Sequence, residues 1–231
     1  AVATDHFAQL APGAPCDPVT ASLDTMSGTQ YLRLNDRVEL PRLYLSWLST
    51  ALFGDHDAEL DLAADILAGG KSSRLYRALL YDREIATDVS VHQASSELSG
   101  IFSIVVTAAP GHTLSDINSV VADEIRRLQS DGVTDEEFMR ARNRMEADFA
   151  WQCQSVGGFG GVSDQLNAYN VFAKTPGFFE TDWNRYKNAT PGSICEAITR
   201  LLTPETEVAL SIVPQKTADA ALPESELLEM R

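Results

Sequence analysis

The alternation of apolar and polar side chains along the chain predicts five β-strands. Residues 29–35 read TQYLRLN and residues 43–52 read LYLSWLSTAL, each with the period of two that is typical of a half-buried strand. The other predicted strands are 86–93, 100–108 and 207–213. The link between 86–93 and 100–108 is ASSELSG, which fits an antiparallel hairpin and is too short for a parallel crossover.

Apolar positions at helical spacing predict a helix after the second strand. It opens in GDHDAELDL, with Asp55 as the expected N-cap, and the glycine pair Gly69 and Gly70 is expected to end it. Ser72 and Ser73 are expected to cap the helix that follows.

The second half of the chain carries stronger helix signals. Residues 114–130 form an amphipathic stripe, and TDEE at 134–137 is a capping box that opens a helix running to about residue 154. Further helices are predicted at 163–172 and 180–188, and Thr190-Pro191 has the pattern of an N-cap followed by proline in the first turn.

Strands in hairpins and helices in runs predict an α+β fold. We expect a mostly antiparallel, mixed sheet of about five to six strands with helices packed mainly on one face. Residues 1–27 are rich in Pro, Gly and Ala and are interpreted as an interdomain connector, 28–214 as the domain, and 215–231 as a polar tail or linker.

The charge of the chain limits the partners that it can have. Eighteen basic residues against 33 acidic ones give a formal net charge of −15. This argues against nucleic acid or an anionic membrane surface as the main partner, since both require a basic footprint. An acidic cavity would instead favour basic peptides. The sequence contains no apolar run long enough to span a bilayer.

The cysteines and histidines give no catalytic or metal-binding pattern. The cysteines are Cys16, Cys153 and Cys195, without a CxxC motif, so we expect no zinc framework and interpret the latter two as buried small side chains. The histidines are scattered: His6, His56, His92 and His112. HDAEL at 56–60 resembles HxxEH with leucine as its last residue, so it cannot complete a zinc site. We therefore expect no catalytic residue, metal ligand or cofactor within this chain.

Four glycines surround Phe159 in SVGGFGGVSD. A phosphate-binding loop would need a preceding strand and a different glycine pattern, whereas a helix is predicted here. Gly157, Gly158, Gly160 and Gly161 are candidates for a hinge between helices, with a plain loop as the alternative.

Residues 66–91, ILAGGKSSRLYRALLYDREIATDVSV, carry the most specific pattern of the chain. They resemble LGGGxSSRLFxxLRxxxGLAYxVxA, the pattern of the non-catalytic C-terminal domain of insulinase/pitrilysin-family zinc metallopeptidases. The likeness continues in ELSGIFSIVVTAAPG, DGVTDEEFMRARNRMEADF and LTPETEVALSIVP, so it covers about residues 25–214. It implies the metallopeptidase-half, or LuxS-like, α/β roll as the fold.

Members of that family are built from several homologous domains that close around a peptide. The first domain holds zinc on an inverted HxxEH motif, and the domain resembled here supplies the opposite wall. In many members this wall also supplies an arginine and a tyrosine that help to hold the substrate; the matching positions here are Leu80 and Thr87, so both are replaced. Arg74 matches an arginine of the motif, and Arg83 matches a common basic residue of that helix but not the functional arginine. These four residues are the candidates for lining or positioning substrate.

The resemblance implies a non-catalytic, substrate-enclosing domain of a zinc-dependent metalloendopeptidase, with zinc in the parent enzyme and none here. Its partners would be a homologous zinc-bearing domain, in the same chain or a partner subunit, and peptides that add to an edge strand at 86–93 or 100–108. Bacterial relatives of this type are often exported, which suggests a periplasmic or exported location. The alternatives are a catalytically inactive structural or assembly subunit of the same family and an unrelated acidic α+β binding domain.

Overall fold

The fold was obtained as a computed structural model that describes residues 2–11, 13–14, 17, 19–20 and 26–228. The strands are β1 (Gln30–Asp36), β2 (Arg42–Ser49), β3 (Ala86–Ser95), β4 (Gly100–Ala108), β5 (Glu207–Pro214) and β6 (Glu226–Leu227). The α-helices are α1 (Val2–Phe7), α2 (Asp57–Ala68), α3 (Leu114–Ser130), α4 (Asp135–Gln152), α5 (Val162–Phe172), α6 (Phe179–Asn188) and α7 (Pro191–Leu201).

The strands form one six-stranded mixed sheet in the order β3-β4-β2-β5-β1-β6. β1 pairs in parallel with β5 and β6, whereas β2–β4, β2–β5 and β3–β4 are antiparallel. The predicted α+β class and the β3–β4 hairpin are therefore confirmed. β3 lies at an edge of the sheet, but β4 lies between β3 and β2, so the expectation that 100–108 could form an edge is wrong.

The helices pack on one face of this sheet. Along β2 the side chains of Leu43, Leu45 and Trp47 are buried, and those between them are only partly covered. The buried face is covered mainly by α2, α3 and α7, whose apolar stripes join the same core. On the opposite face Ile101 is 50% exposed, and Leu48 and Leu210 are partly exposed.

The strongest local signals predicted the structure closely. α3 has the predicted bounds, and Thr134 and Glu137 form the reciprocal capping box at the start of α4. Thr190 caps α7, which has Pro191 in its first turn. Cys153 was expected to be buried, but it is exposed because it follows the last turn of α4.

Two predicted caps are wrong. α2 is preceded by His56, which has a left-handed backbone (φ 66°) and makes no side-chain cap, so Asp55 is not the N-cap. The Ser73 hydroxyl donates to Gly70 O at 2.6 Å instead of capping a helix. The segment Tyr76–Tyr81 that follows is a π-helix without a side-chain cap.

The predicted polar tail packs against the sheet. β6 pairs with β1, the side chain of Leu222 is 4% exposed, and the Leu222 N–H donates to Ser211 Oγ at 3.1 Å. The segment after residue 214 therefore completes the sheet and core as far as residue 228. At the other end, residues 2–7 form the exposed helix α1, and Cys16 lies outside the described residues.

Candidate functional site

A stripe of three aspartates runs along α2, a helix that is otherwise almost wholly apolar. Asp57, Asp61 and Asp65 are spaced four residues apart, which places them on one face of the helix. The rest of α2 fills the core, where side chains such as Leu60 and Leu62 are fully buried. Each of the three carboxylates must therefore find a partner on a neighbouring element.

Asp57 is 2% exposed and lies at the centre of a charged network. Its Oδ2 atom accepts hydrogen bonds from both terminal nitrogens of Arg185, each at 3.1 Å, and from the Phe53 N–H at 3.0 Å. Its Oδ1 atom accepts from Ser95 Oγ at 2.5 Å. Arg185 Nε lies 3.2 Å from Asp182 Oδ1, so one arginine is shared by two buried aspartates. This network joins α2 to α6 and to the end of β3.

Asp61 forms the next step along the stripe. Its Oδ2 atom accepts a hydrogen bond from Tyr186 Oη at 2.6 Å, which ties α6 to the middle of α2. Burial raises the pKa of Asp61 from 3.8 to about 7, although the hydrogen bond from Tyr186 acts in the opposite direction. The same burial, together with the nearby Asp61, raises the pKa of the Tyr186 phenol. Asp61 is therefore a carboxyl group that changes charge near neutral pH.

The last aspartate of the stripe pairs with α4. Asp65 Oδ1 lies 3.2 Å from Arg144 Nη1, and Arg144 also donates to Gly69 O. Burial raises the pKa of Asp65, and Arg144 opposes that effect. Arg144 therefore reaches from α4 to the C-terminal end of α2 and helps to satisfy its last carbonyl groups.

An open groove runs between α2, α4 and β3. One cavity of about 350 Å³ is lined by residues 89–93 of the edge strand and by Asp65 and Arg144. A second cavity of about 320 Å³ is lined by Asp57, Arg185 and other residues of the network. Both cavities are bordered by Asp61, Met145 and Asp148. We call these two adjoining cavities the α2 groove and define it by their lining residues.

The loop that leads into α2 has an unusual backbone. Phe53 and His56 have φ values of 61° and 66°, in the left-handed region that bulky side chains seldom adopt. The Phe53 ring packs against Tyr169 and Phe178, with the Arg185 guanidinium over its face at 5.3 Å. The strained loop is held by contacts with the same charged network, so backbone strain and buried charge coincide at this end of the groove.

The residues predicted to line or position substrate are not brought together in the groove. Arg74 is 14% exposed and makes a two-point salt bridge with Glu137 at 2.7 and 2.8 Å, with a further hydrogen bond to Gly132 O. Leu80 lies on the π-helix, partly buried against the core, and Arg83 is exposed after it. Thr87 is exposed at the bulge where β3 begins. A positioning role for these residues stays a prediction, and Arg74 has a structural partner of its own.

The four glycines predicted as a hinge lie in the loop between α4 and α5. Gly158 and Gly160 have φ values of 87° and 76°, so the turn uses their conformational freedom. Phe159 between them is fully exposed. A hinge motion at this loop stays a prediction.

The residues of the groove do not fit a zinc site. Leu60, which stands in place of the second histidine of an HxxEH motif, is fully buried in the core. Across the described part of the chain, no three histidine, cysteine or acidic side chains are grouped so that they could hold a metal ion. The groove offers groups that can bind a ligand rather than react with it. These groups are carboxylates without a cationic partner among the described residues, carboxylates paired with arginine, and the outer edge of β3. Sequence reasoning missed this site, although the four-residue spacing of aspartates in an apolar helix was a readable signal.

Comparisons with known proteins agree with this architecture. The sequence profile of the family described as "Peptidase M16 inactive domain" matches residues 1–145. A protease from Helicobacter pylori superposes with a TM-score of 0.79 at 16% identity, over 91% of this chain and 51% of that one. The inactive peptidase domain of a protein assigned as a zinc protease in Bordetella parapertussis gives 0.67 at 20% identity, over 78% and 94%.

A third similar structure is the periplasmic protease PqqL from Escherichia coli, with a TM-score of 0.63 and 13% identity over 89% of this chain and 22% of that one. At these identities the likeness establishes the fold alone. The chain spans about half the length of the H. pylori protease chain that it matches. No sequence among the curated proteins matches it. Within the described residues, every helix is too short or too polar to cross a lipid bilayer.

Proposed function

The chain belongs to the family of peptidase M16 inactive domains, and on that premise we propose that it is a non-catalytic, substrate-enclosing domain of a zinc-dependent metalloendopeptidase. The α2 groove is the observation that carries this proposal. It is an open channel with an unpaired strand edge on one side and polar side chains along its floor. A wall of this kind can hold an extended polypeptide without performing chemistry on it.

The proposed mode of binding is strand addition. β3 pairs with β4 on one side only, so its outer edge carries backbone groups that no strand of the described residues pairs with. An extended peptide can form main-chain hydrogen bonds to such an edge, largely independently of its sequence. An exposed β3 thus suits a protein that handles many peptides.

The proposed partner is a homologous zinc-bearing domain, in the same chain or in a partner subunit. Two observations support it: the chain spans about half the H. pylori protease chain, and apolar side chains of the uncovered sheet face, Ile101 among them, remain exposed. The zinc ion would belong to that domain. A periplasmic or exported location is proposed because a similar structure is a periplasmic protease.

One observation favours the alternative of an inactive structural subunit. The deepest charges of the groove, Asp57 and Asp182, are already engaged by Arg185 within the chain, as would suit a rigid element rather than a ligand site. The two functions differ in whether the chain affects cleavage or only assembly.

The test combines metal analysis, cleavage and reconstitution. The purified chain is assayed for zinc and for cleavage of an unstructured basic peptide with a chelator control, alone and with the zinc-bearing domain of its parent. We expect no zinc and no cleavage for the chain alone, and chelator-sensitive cleavage that requires both parts. Stoichiometric zinc with cleavage by the chain alone would overturn the proposal. Cleavage by the zinc-bearing domain that is unchanged by this chain would favour the structural subunit.

A further inference from the structure

The charges along the α2 groove are not balanced. Arg185 is paired with Asp57 and Asp182, and Arg144 is paired with Asp65. Asp61 has a tyrosine hydroxyl as its hydrogen-bond partner, and Asp148 is exposed on α4. Among the described residues, no lysine or arginine forms an ion pair with either of these two carboxylates, which border both cavities.

One buried acceptor in the same groove lacks a donor. Gln93 Oε1 is buried without a hydrogen-bond donor among the described residues and lies on the β3 side. Asp182, by contrast, is satisfied by Tyr169 and Arg185. Buried acceptors like Gln93 Oε1 are rarely left without a donor in proteins. This acceptor favours a ligand that brings N–H groups, independently of Asp61 and Asp148.

The walls of the groove suit a long side chain with a charged end. Met145 and Phe149 border the cavity beside Asp61 and Asp148, and Ala64 and Ala68 border the other part. Lysine and arginine lay their methylene groups against apolar surface of this kind while the charged end reaches polar groups. A strand added to β3 would lie about 4.8 Å from it and present every second side chain to the same side.

We propose that the α2 groove selects extended peptide segments that carry a lysine or arginine side chain, which seats its cationic end between Asp61 and Asp148 while the backbone adds to β3. This inference rests on the proposed function and names the substrate class of that same wall. The formal net charge of −15 would act in the same direction by attracting cationic segments to the chain.

The test is a comparison of two fluorescent peptides that differ at one central residue, lysine in one and uncharged norleucine in the other. Binding to the purified chain is measured by fluorescence anisotropy at about pH 8, above the Asp61 pKa of about 7. We expect the lysine peptide to bind about twofold to fivefold more tightly, the range of an ion pair that is partly open to solvent. Asp148→Asn and Asp61→Asn should each reduce this ratio, and the double variant should abolish it. Glu146→Gln, which removes a charge from α4 outside the groove lining, is the matched control and should keep the ratio.

A lysine peptide with alternate backbone nitrogens methylated tests strand addition and should lose most of its affinity. Equal binding of the lysine and norleucine peptides would overturn the basic selectivity and leave the proposed function standing. A ratio unchanged in the double variant would also overturn it. If the isolated chain bound the peptide but the reconstituted protein did not, the zinc-bearing domain would cover the groove, and the proposed peptide site would be overturned. Failure of every peptide to bind, alone and after reconstitution, would count against the proposed function as well.

Discussion

Replacing Asp61 by asparagine tests the electrostatics of the α2 groove directly. Asparagine keeps an oxygen that can accept the hydrogen bond from Tyr186 but cannot ionise. In the wild type, burial raises the Asp61 pKa from 3.8 to about 7. The Asp61 carboxyl therefore ionises less readily in the folded state than in the unfolded chain. As the pH rises, this difference lowers the free energy of unfolding.

The magnitude follows from the two pKa values. For an acid with a raised pKa, the penalty is absent below the unfolded value of 3.8, grows as the pH rises, and is complete above about 7. Each pKa unit corresponds to about 1.4 kcal/mol, so the full penalty is at most about 4 kcal/mol. Between about pH 5 and about pH 8 the wild type should lose roughly 2–3 kcal/mol of unfolding free energy through this group, and Asp61→Asn should not.

The assay is urea denaturation of both proteins across this pH range, followed by tryptophan fluorescence and analysed as the difference in unfolding free energy. Asp148→Asn serves as the control, because it removes a solvent-exposed carboxylate from the same groove and should leave the pH slope of the wild type. If Asp61→Asn shows the same slope as the wild type, Asp61 is not a buried titrating group and the reasoning is refuted.

Three other changes probe the network, the backbone and the tail. Arg185→Met leaves Asp57 buried without its cation and should cost about 3–5 kcal/mol, measured by calorimetry as a fall in Tm of about 10 °C; a loss below about 1 kcal/mol would contradict the network. Glu84 has a φ of 53°, so Glu84→Gly should raise stability by about 1 kcal/mol in thermal unfolding. Asp82→Gly is the control, because Asp82 has an ordinary φ of −80°, and this variant should lower the thermal stability. If Glu84→Gly and Asp82→Gly changed the stability equally, relief of backbone strain at Glu84 would be excluded. Leu222→Ala should cost about 2–3 kcal/mol in urea unfolding, whereas a free tail would give no change.

The sequence predicts those elements whose signals are local. α3 and the capping box of α4 were predictable because apolar spacing and a four-residue cap motif are complete within the segment itself. The family motif at 66–91 adds one detail: it has glycine at the position of Glu84, where the backbone is left-handed. Local chemistry and a specific motif thus account for the fold class and most of the helices.

Features that depend on distant partners were missed. The pairing of β6 with β1 joins the two ends of the domain, and the two residues of β6 carry no signal of their own. The aspartates of α2 were visible, but Arg185 lies 128 residues after Asp57, so their neutralisation could not be inferred. The interior position of β4 likewise depends on the order in which strands meet, which periodicity does not encode.

The position of β5 has a consequence for how the chain folds. This strand is near the C-terminus of the chain, yet it lies between β1 and β2, two of the earliest. During synthesis β1 and β2 cannot complete their pairing until residues 207–214 have been made. Most of the domain therefore leaves the ribosome before the strand that joins β1 to β2 is available. The search for such distant contacts makes folding slow and exposes unpaired strands to other chains in the meantime.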